Sequence, residues 1–362
     1  MNASTDFGVR SSLSPSGSNR RNAPVFVLGS PRSGTTLLYD MLLSAGGFAV
    51  YLAESNVFNL LAPRFGDLRV RANREKLLHA WLNSKLFRAS GLNAEHIRDR
   101  VLNECTTAAD FLQIVMGEIC AVQGAWRWAE NSPEGMLYLS QIRHSIPNSL
   151  FVHIIRDGRD VATSLGRLRY VRAFPWEDRH GLLGCGLYWE WMVQQGRNFG
   201  RTIPEDYLEI RFEDLLANPQ PTLGRIGQFI DQPLDYKLIR SVAYGSVARP
   251  NTSFHQEAKA EFNPVGRWKK SFSPDQLLRF ERLVGQTLTE LGYESATNGP
   301  SLGLNASLQG TRALHRAYFA SKVVYKNSAL LRALRPTLTA TQIDDIVLAE
   351  DHPPQLRQPS NS

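Results

Sequence analysis

Apolar residues follow two rhythms along this chain. A short unbroken run at 24–28 and a run at 150–155 interrupted only by His153 show no alternation and predict strands buried on both faces, as in a parallel sheet. Elsewhere the apolar positions return at helical spacing. In 35–45, Leu37, Leu38, Met41 and Leu42 form one inner stripe. Segments 48–52, 125–129 and 207–212 predict further strands. Residues 54–123 predict mostly helix, with breaks near 63–66 and 90–91. Helices are also predicted over 133–145 with Pro133 at the first position, about 159–170, 180–201, 221–230 and 274–291, the last closed by Gly292. Strands alternating with helices imply an α/β fold, whose ligands bind beyond the carboxyl ends of the strands.

The first run leads directly into Gly29-Ser30-Pro31-Arg32-Ser33-Gly34-Thr35-Thr36. Gly29, Gly34 and Thr36 fill three fixed positions of the phosphate loop G-x-x-x-x-G-K-[ST], and Thr35 stands in the place of the lysine. Backbone amides of Ser33, Gly34, Thr35 and Thr36, at a helix N-terminus, suit a phosphate. The cation that reaches a triphosphate is missing, so the loop suits a nucleotide with a different reactive end. Arg32 is the cation best placed to fork onto a phosphate or sulfate.

The run at 150–155 leads into Arg156-Asp157-Gly158-Arg159-Asp160-Val161-Ala162-Thr163-Ser164. Arg156 ends a strand, and Ser164, eight residues on in the next helix, can turn back toward it. A guanidinium and a hydroxyl make a second anion site, separate from the loop. Asp157, Arg159 and Asp160 are read as local ion pairs that hold the turn. Two anion sites on one sheet edge call for a nucleotide phosphorylated at two places.

These two motifs together resemble the sulfotransferases that use 3′-phosphoadenosine 5′-phosphosulfate (PAPS), in the style of the bacterial and tyrosylprotein branch. The resemblance spans roughly residues 24–293. Weaker matches are Ile210-Arg211-Phe212-Glu213-Asp214-Leu215-Leu216 with Asn218-Pro219, and Val265-Gly266-Arg267-Trp268-Lys269-Lys270. The resemblance implies a P-loop-NTPase-like three-layer sandwich with a central parallel sheet, helical insertions and a C-terminal helical extension. It implies that Arg32, Ser33, Gly34, Thr35 and Thr36 grip the 5′-phosphosulfate, and that Arg156 and Ser164 bind the 3′-phosphate. Arg267 and Lys269 fall where the cytosolic branch closes a loop over the cofactor. Glu54 falls where the tyrosylprotein branch has its general base, which an acceptor hydroxyl needs in the transition state; at the start of a helix it is equally a partner for the helix dipole. His153 is the alternative base, though its apolar neighbours favour a place within the sheet. Two positions depart from the family pattern. Asn131 stands where a lysine often precedes Thr-Pro, and Phe212 where tyrosine is frequent. Arg32 or another cation must then neutralise the transferring group.

Charge adds one feature. The net charge is +7, and residues 301–335 carry six cations and no acid: Arg312, Arg316, Lys322, Lys326, Arg332 and Arg335. The remainder is near neutral, so no nucleic-acid face is expected. Interleaved with leucines and aromatics, the segment reads as a helical extension packed on the domain or a partner subunit. The alternative is a peripheral membrane contact through 306–335.

The expected organisation is a disordered leader over 1–22, a sulfotransferase domain over 23–297, the basic helical extension over 298–348 and a disordered tail over 349–362. No run is apolar for the length of a membrane span, and 1–22 lacks the apolar core of a signal peptide. Three scattered cysteines without a C-x-x-C pair indicate neither a disulfide framework nor a zinc site, and a cytoplasmic location is expected. The expected activity is sulfuryl transfer from PAPS, without a metal, to a hydroxyl or amine of a small molecule, lipid, glycan or peptide. Residues 54–123 and 170–180 would shape the acceptor pocket. A small-molecule kinase with a P-loop, or a non-catalytic nucleotide-binding protein, are the alternatives.

Overall fold

The computed structural model describes residues 20–168, 171, 174, 181–249, 263–297 and 306–328. The expected leader lies outside these but for 20–22. The tail and most of 170–180 and 329–348 lie outside them altogether.

Four strands form one parallel sheet: β1 (Val25–Leu28), β2 (Ala129–Asn131), β3 (Leu150–Ile155) and β4 (Tyr207–Arg211), in the spatial order β2-β1-β3-β4. β1 and β3 are fully buried along their length. Alternate residues feed two separate cores. Phe26, Leu28, Phe151 and Ile155 face one; Val25, Val27, Val152, Ile154 and Ile210 face the other. Burial on both faces is why these runs show no polar alternation.

Helix α1 (Thr35–Ser44) follows β1 on the second face. The larger core takes a helical insertion, including α2 (Arg71–Leu82), α3 (Ala94–Glu104) and α4 (Ala108–Gln123). It also takes α5 (Gly158–Arg167) and α6 (Leu182–Gly200) after β3, and α8 (Pro274–Glu290). Helix α7 (Pro219–Ile230) covers the second core, and α9 (Ala306–Asn327) closes the described chain. Trp81 of α2 is a core residue between Phe87 and Phe111.

Segment 48–52 is not a strand. It makes one bridge, Phe48 with Arg127. Beyond that point the Gln123 side-chain amide takes the place of a neighbouring strand: Val50 N donates to Gln123 Oε1 at 2.7 Å and Gln123 Nε2 donates to Val50 O at 3.0 Å. The strand expected at 125–129 begins only at Ala129. Before it, the amides of Trp126 and Arg127 both turn to Gly47 O, and the buried Arg127 guanidinium binds Ala23 O and Ile230 O.

The described part of the basic extension packs on the domain. Glu190 of α6 is fully buried and accepts from Arg312 and Arg316 of α9 and from Thr287 of α8. Phe319 of α9 is buried against Tyr188 and Trp191. A buried carboxylate needs such partners, and removing one typically costs about 3–5 kcal/mol. These two cations are therefore directed inward. No described helix is long and apolar enough to cross a membrane.

Candidate active site

The carboxyl ends of β2, β1 and β3 lie side by side, and each releases part of the site. After β1 the chain turns through the loop 29–34. A Cβ on Gly29 would lie 2.8 Å from Ile154 O, so the loop root fits against β3 only as glycine. Gly34 has φ 95°, and a Cβ there would lie 2.3 Å from the Phe212 ring. Arg32 is also left-handed, at φ 72°, a conformation that costs a non-glycine residue about 1–3 kcal/mol and is held by surrounding structure.

Helix α1 starts at Thr35 with Gly34 as its cap residue and no side-chain cap, and its first turn opens toward the loop. The Ser33 amide, expected to serve a phosphate, donates instead to Ser30 O at 3.0 Å. The Ser33 hydroxyl is buried with no partner, as are Ser30 Oγ, Asn131 Oδ1 and Arg156 Nε. Buried polar atoms left unsatisfied are costly. Gathered around one loop, the Ser33 and Arg156 donors fit a bound anion.

The two anion sites read from the sequence are linked by hydrogen bonds. Arg32 Nε donates to Ser164 Oγ at 3.1 Å, and an Arg156 terminal nitrogen donates to Arg32 O at 2.9 Å. The other terminal nitrogen of Arg156 donates to Pro264 O. Its guanidinium lies over the Phe212 ring, 4.9 Å from the centroid. Phe212 is thus wedged between Gly34 and Arg156, and the position lacks only a tyrosine hydroxyl. The left-handed turn at Arg32 carries its side chain toward α5, which links the two sites.

Asp157 caps α5 and, with Arg159, forms the expected local pair at 2.8 Å. The network reaches further than a turn. Arg159 also binds Glu281 of α8 at 2.8 Å. Asp160 accepts from the amides of Gly266 and Trp268 at 2.8 and 2.9 Å, which fixes the segment 266–270. That segment brings Arg267 close enough to lower the proton affinity of Arg156, which burial lowers first. Lys269 is exposed, with its ammonium 5.8 Å from the Trp268 ring centroid. Thr35 is buried and Thr36 half-buried, both in the first turn of α1.

Glu54 lies on the β2 side of the loop. Burial, and then the negative charges of Glu130 and Glu134, raise its pKa to about 7; a hydrogen bond from Asn56 and the charge of Arg32 oppose the rise. A carboxyl poised near neutrality is suited to take a proton. His153 is not. It is fully buried in β3, its Nδ1 hydrogen-bonds Tyr207 at 2.5 Å, and burial pulls it down to about 3. The sequence reading did not single out Glu130, Ser55 and Ser132, which bond to one another beside Glu54. A carboxylate inside a three-residue strand was the available signal.

The sulfotransferase family model matches residues 24–236. The chain is 25% identical over 303 residues to protein-tyrosine sulfotransferase A of Caenorhabditis elegans, covering 80% of this chain and 72% of that one. It is 23% identical over 177 residues to flavonol 3-sulfotransferase of Flaveria bidentis, covering 40% and 56%. A solved sulfotransferase domain from the curacin biosynthetic pathway aligns with a TM-score of 0.49 and 18% identity, over 75% of this chain and 98% of that one. The family match runs from the root of β1 past the end of β4 and so encloses the loop, Glu54, Arg156 and Ser164: this chain belongs to the sulfotransferase family.

Proposed function

We propose that this chain moves a sulfuryl group from PAPS to an acceptor hydroxyl, with Glu54 as the general base and the Arg32–Arg156–Ser164 cluster as the anion cradle. One observation carries the reading. A carboxyl with a pKa of about 7 and a loop with unpartnered buried donors meet at one sheet edge, with Arg32 between them.

When bound, PAPS supplies the sulfuryl group and leaves as adenosine 3′,5′-bisphosphate. The protein groups act around it. Ser33 Oγ and the first turn of α1 donate to an anion at the loop. Arg156 Nε and Ser164 offer donors to a second anionic group beside it. Arg32 supplies the charge that Asn131 cannot, since an amide offers only a neutral hydrogen bond. Glu54 takes the acceptor proton as the hydroxyl oxygen becomes nucleophilic, and its near-neutral pKa matches that task. Arg267 supplies positive charge next to Arg156. The kinase and non-catalytic alternatives gain nothing from the family match.

Relatives named for protein tyrosine and for flavonol show that both macromolecular and small phenolic acceptors occur among similar proteins. The proposed acceptor is accordingly a hydroxyl-bearing molecule, a phenol first among those to screen. The test is a melting curve with and without adenosine 3′,5′-bisphosphate. Ligand at about 100 times its dissociation constant stabilises a folded protein by about 2.7 kcal/mol, a shift of several degrees. No shift at millimolar ligand sinks the reading.

A further inference from the structure

None of the roles above uses Glu130. It stands in β2 between Ala129 and Asn131, opposite Phe26 of β1, and is 6% exposed. A carboxylate so placed is costly unless donors meet it. Ser55 Oγ donates to Glu130 Oε1 at 2.7 Å, and Ser132 Oγ donates to the same oxygen. Both hydroxyls lead toward Glu54. Ser55 is its neighbour in the chain. Ser132 Oγ also accepts from the amide of Asn56 at 3.3 Å. Asn56 is left-handed at φ 51°, and its side-chain Nδ2 donates to Glu54 O at 3.2 Å. Asn59 Nδ2 donates in turn to Asn56 Oδ1 at 2.7 Å. Residues 54–56 belong to no strand or helix, and these bonds tie them to β2 and its exit.

We propose that Glu130 is a positioning residue for Glu54: it anchors residues 54–56 to the sheet and sets the electrostatic field in which Glu54 works. The inference rests on the reading of Glu54 as base. The charged and titratable groups that face Glu54 are Glu130 from β2, Glu134 from the turn after it, Arg32 from the loop after β1 and Tyr39 from α1. Glu130 is the strongest charge among those that favour the protonated form, after burial itself. The anchor and the field thus have one source. A carboxylate held by two hydroxyls keeps the base loop in place, and its charge holds back ionisation of Glu54 until near neutral pH.

Glu130→Gln separates these effects. The amide keeps an oxygen that accepts from Ser55 and Ser132, and it removes the charge. Infrared titration of the ligand-free protein reads the result without any acceptor. The Glu54 carboxyl band is identified by its loss in Glu54→Gln, and its expected midpoint in the natural chain is about 7. In Glu130→Gln the midpoint falls by about one unit, as expected for loss of a like charge at close range. Glu130→Ala also removes the anchor. Its turnover of PAPS with the probe 4-nitrophenol falls about tenfold below that of Glu130→Gln, while affinity for adenosine 3′,5′-bisphosphate stays within about twofold. Should Glu130→Ala not fold, Ser55→Ala cuts the same tie and carries the same rate readout. A midpoint unmoved in Glu130→Gln overturns the proposal, because a merely structural carboxylate lowers rate without shifting the titration. If Glu54→Gln retains full transfer, the base reading fails instead, and the infrared midpoint still reports whether Glu130 controls Glu54.

Discussion

The two flanks of the phosphate loop are built in opposite ways. On the β3 side, Arg156 and Ser164 come from one strand–helix corner, eight residues apart, and join Arg32 directly. The cations there are braced by carboxylates set behind them: Asp157, Asp160, Glu213 and Glu281. On the β2 side, Glu54, Glu130 and Glu134 come from an irregular segment, a short strand and the 3-10 helix after it, and the charges of Glu130 and Glu134 disfavour ionisation of Glu54. The cationic flank holds charge that is permanently present. The acidic flank holds a carboxyl kept on the edge of ionisation. An anion binder needs the first property and a proton acceptor needs the second, and burial serves both because it strengthens each local interaction.

The largest expected effect tests the acidic flank. Glu54→Gln lowers kcat by about 100- to 10,000-fold, the range for loss of a general base, with unchanged affinity for adenosine 3′,5′-bisphosphate by calorimetry. Arg156→Ala does the reverse. It weakens that affinity by about 30- to 1,000-fold, the cost of about 2–4 kcal/mol for truncating a buried charged donor, and it shows in KM for PAPS. If both variants lose affinity equally, the two flanks are not functionally distinct.

Acid pH gives the next test. The rate falls as pH drops below about 7, where Glu54 becomes protonated. Its stability effect has the opposite sense. The folded-state pKa lies above the unfolded value, so the favourable contribution is complete below about 4.5 and is lost as pH rises through about 7. Glu54→Gln therefore raises the melting temperature by a few degrees at about pH 8, corresponding to about 1–2 kcal/mol after allowance for solvent contact, and changes it little at about pH 4. The smallest effect belongs to Lys269→Ala. The side chain is exposed, with its ammonium near the Trp268 ring, so PAPS kinetics change by less than about twofold.

Much of the cationic flank was legible because each part is local. Gly29, Gly34 and the helix at Thr35 follow β1 in one run, and the Arg156–Ser164 spacing is set by the strand and helix that carry it. The hydrogen bonds that link the two sites were not legible, since they depend on the left-handed backbone of Arg32. Nor was the hold that Asp160 takes on the amides of Gly266 and Trp268, which fixes the segment carrying Arg267 and Lys269. The acidic flank was legible only at Glu54, and only through the resemblance. Segment 48–52 reads as a strand by composition, yet Gln123 satisfies its backbone in place of a neighbour.

Sequence alone determined the family, the parallel sheet and the strand–turn–helix setting of the loop, because these rest on contiguous patterns: apolar runs without alternation and glycines at a tight turn. Tertiary structure decided which groups share a charge environment. It placed the described part of the basic extension on Glu190, buried His153 within the sheet, and set Glu130 beside Glu54. Those outcomes depend on burial and on contacts between segments tens of residues or more apart, and the energies that shift a pKa exist only once such segments exclude water together.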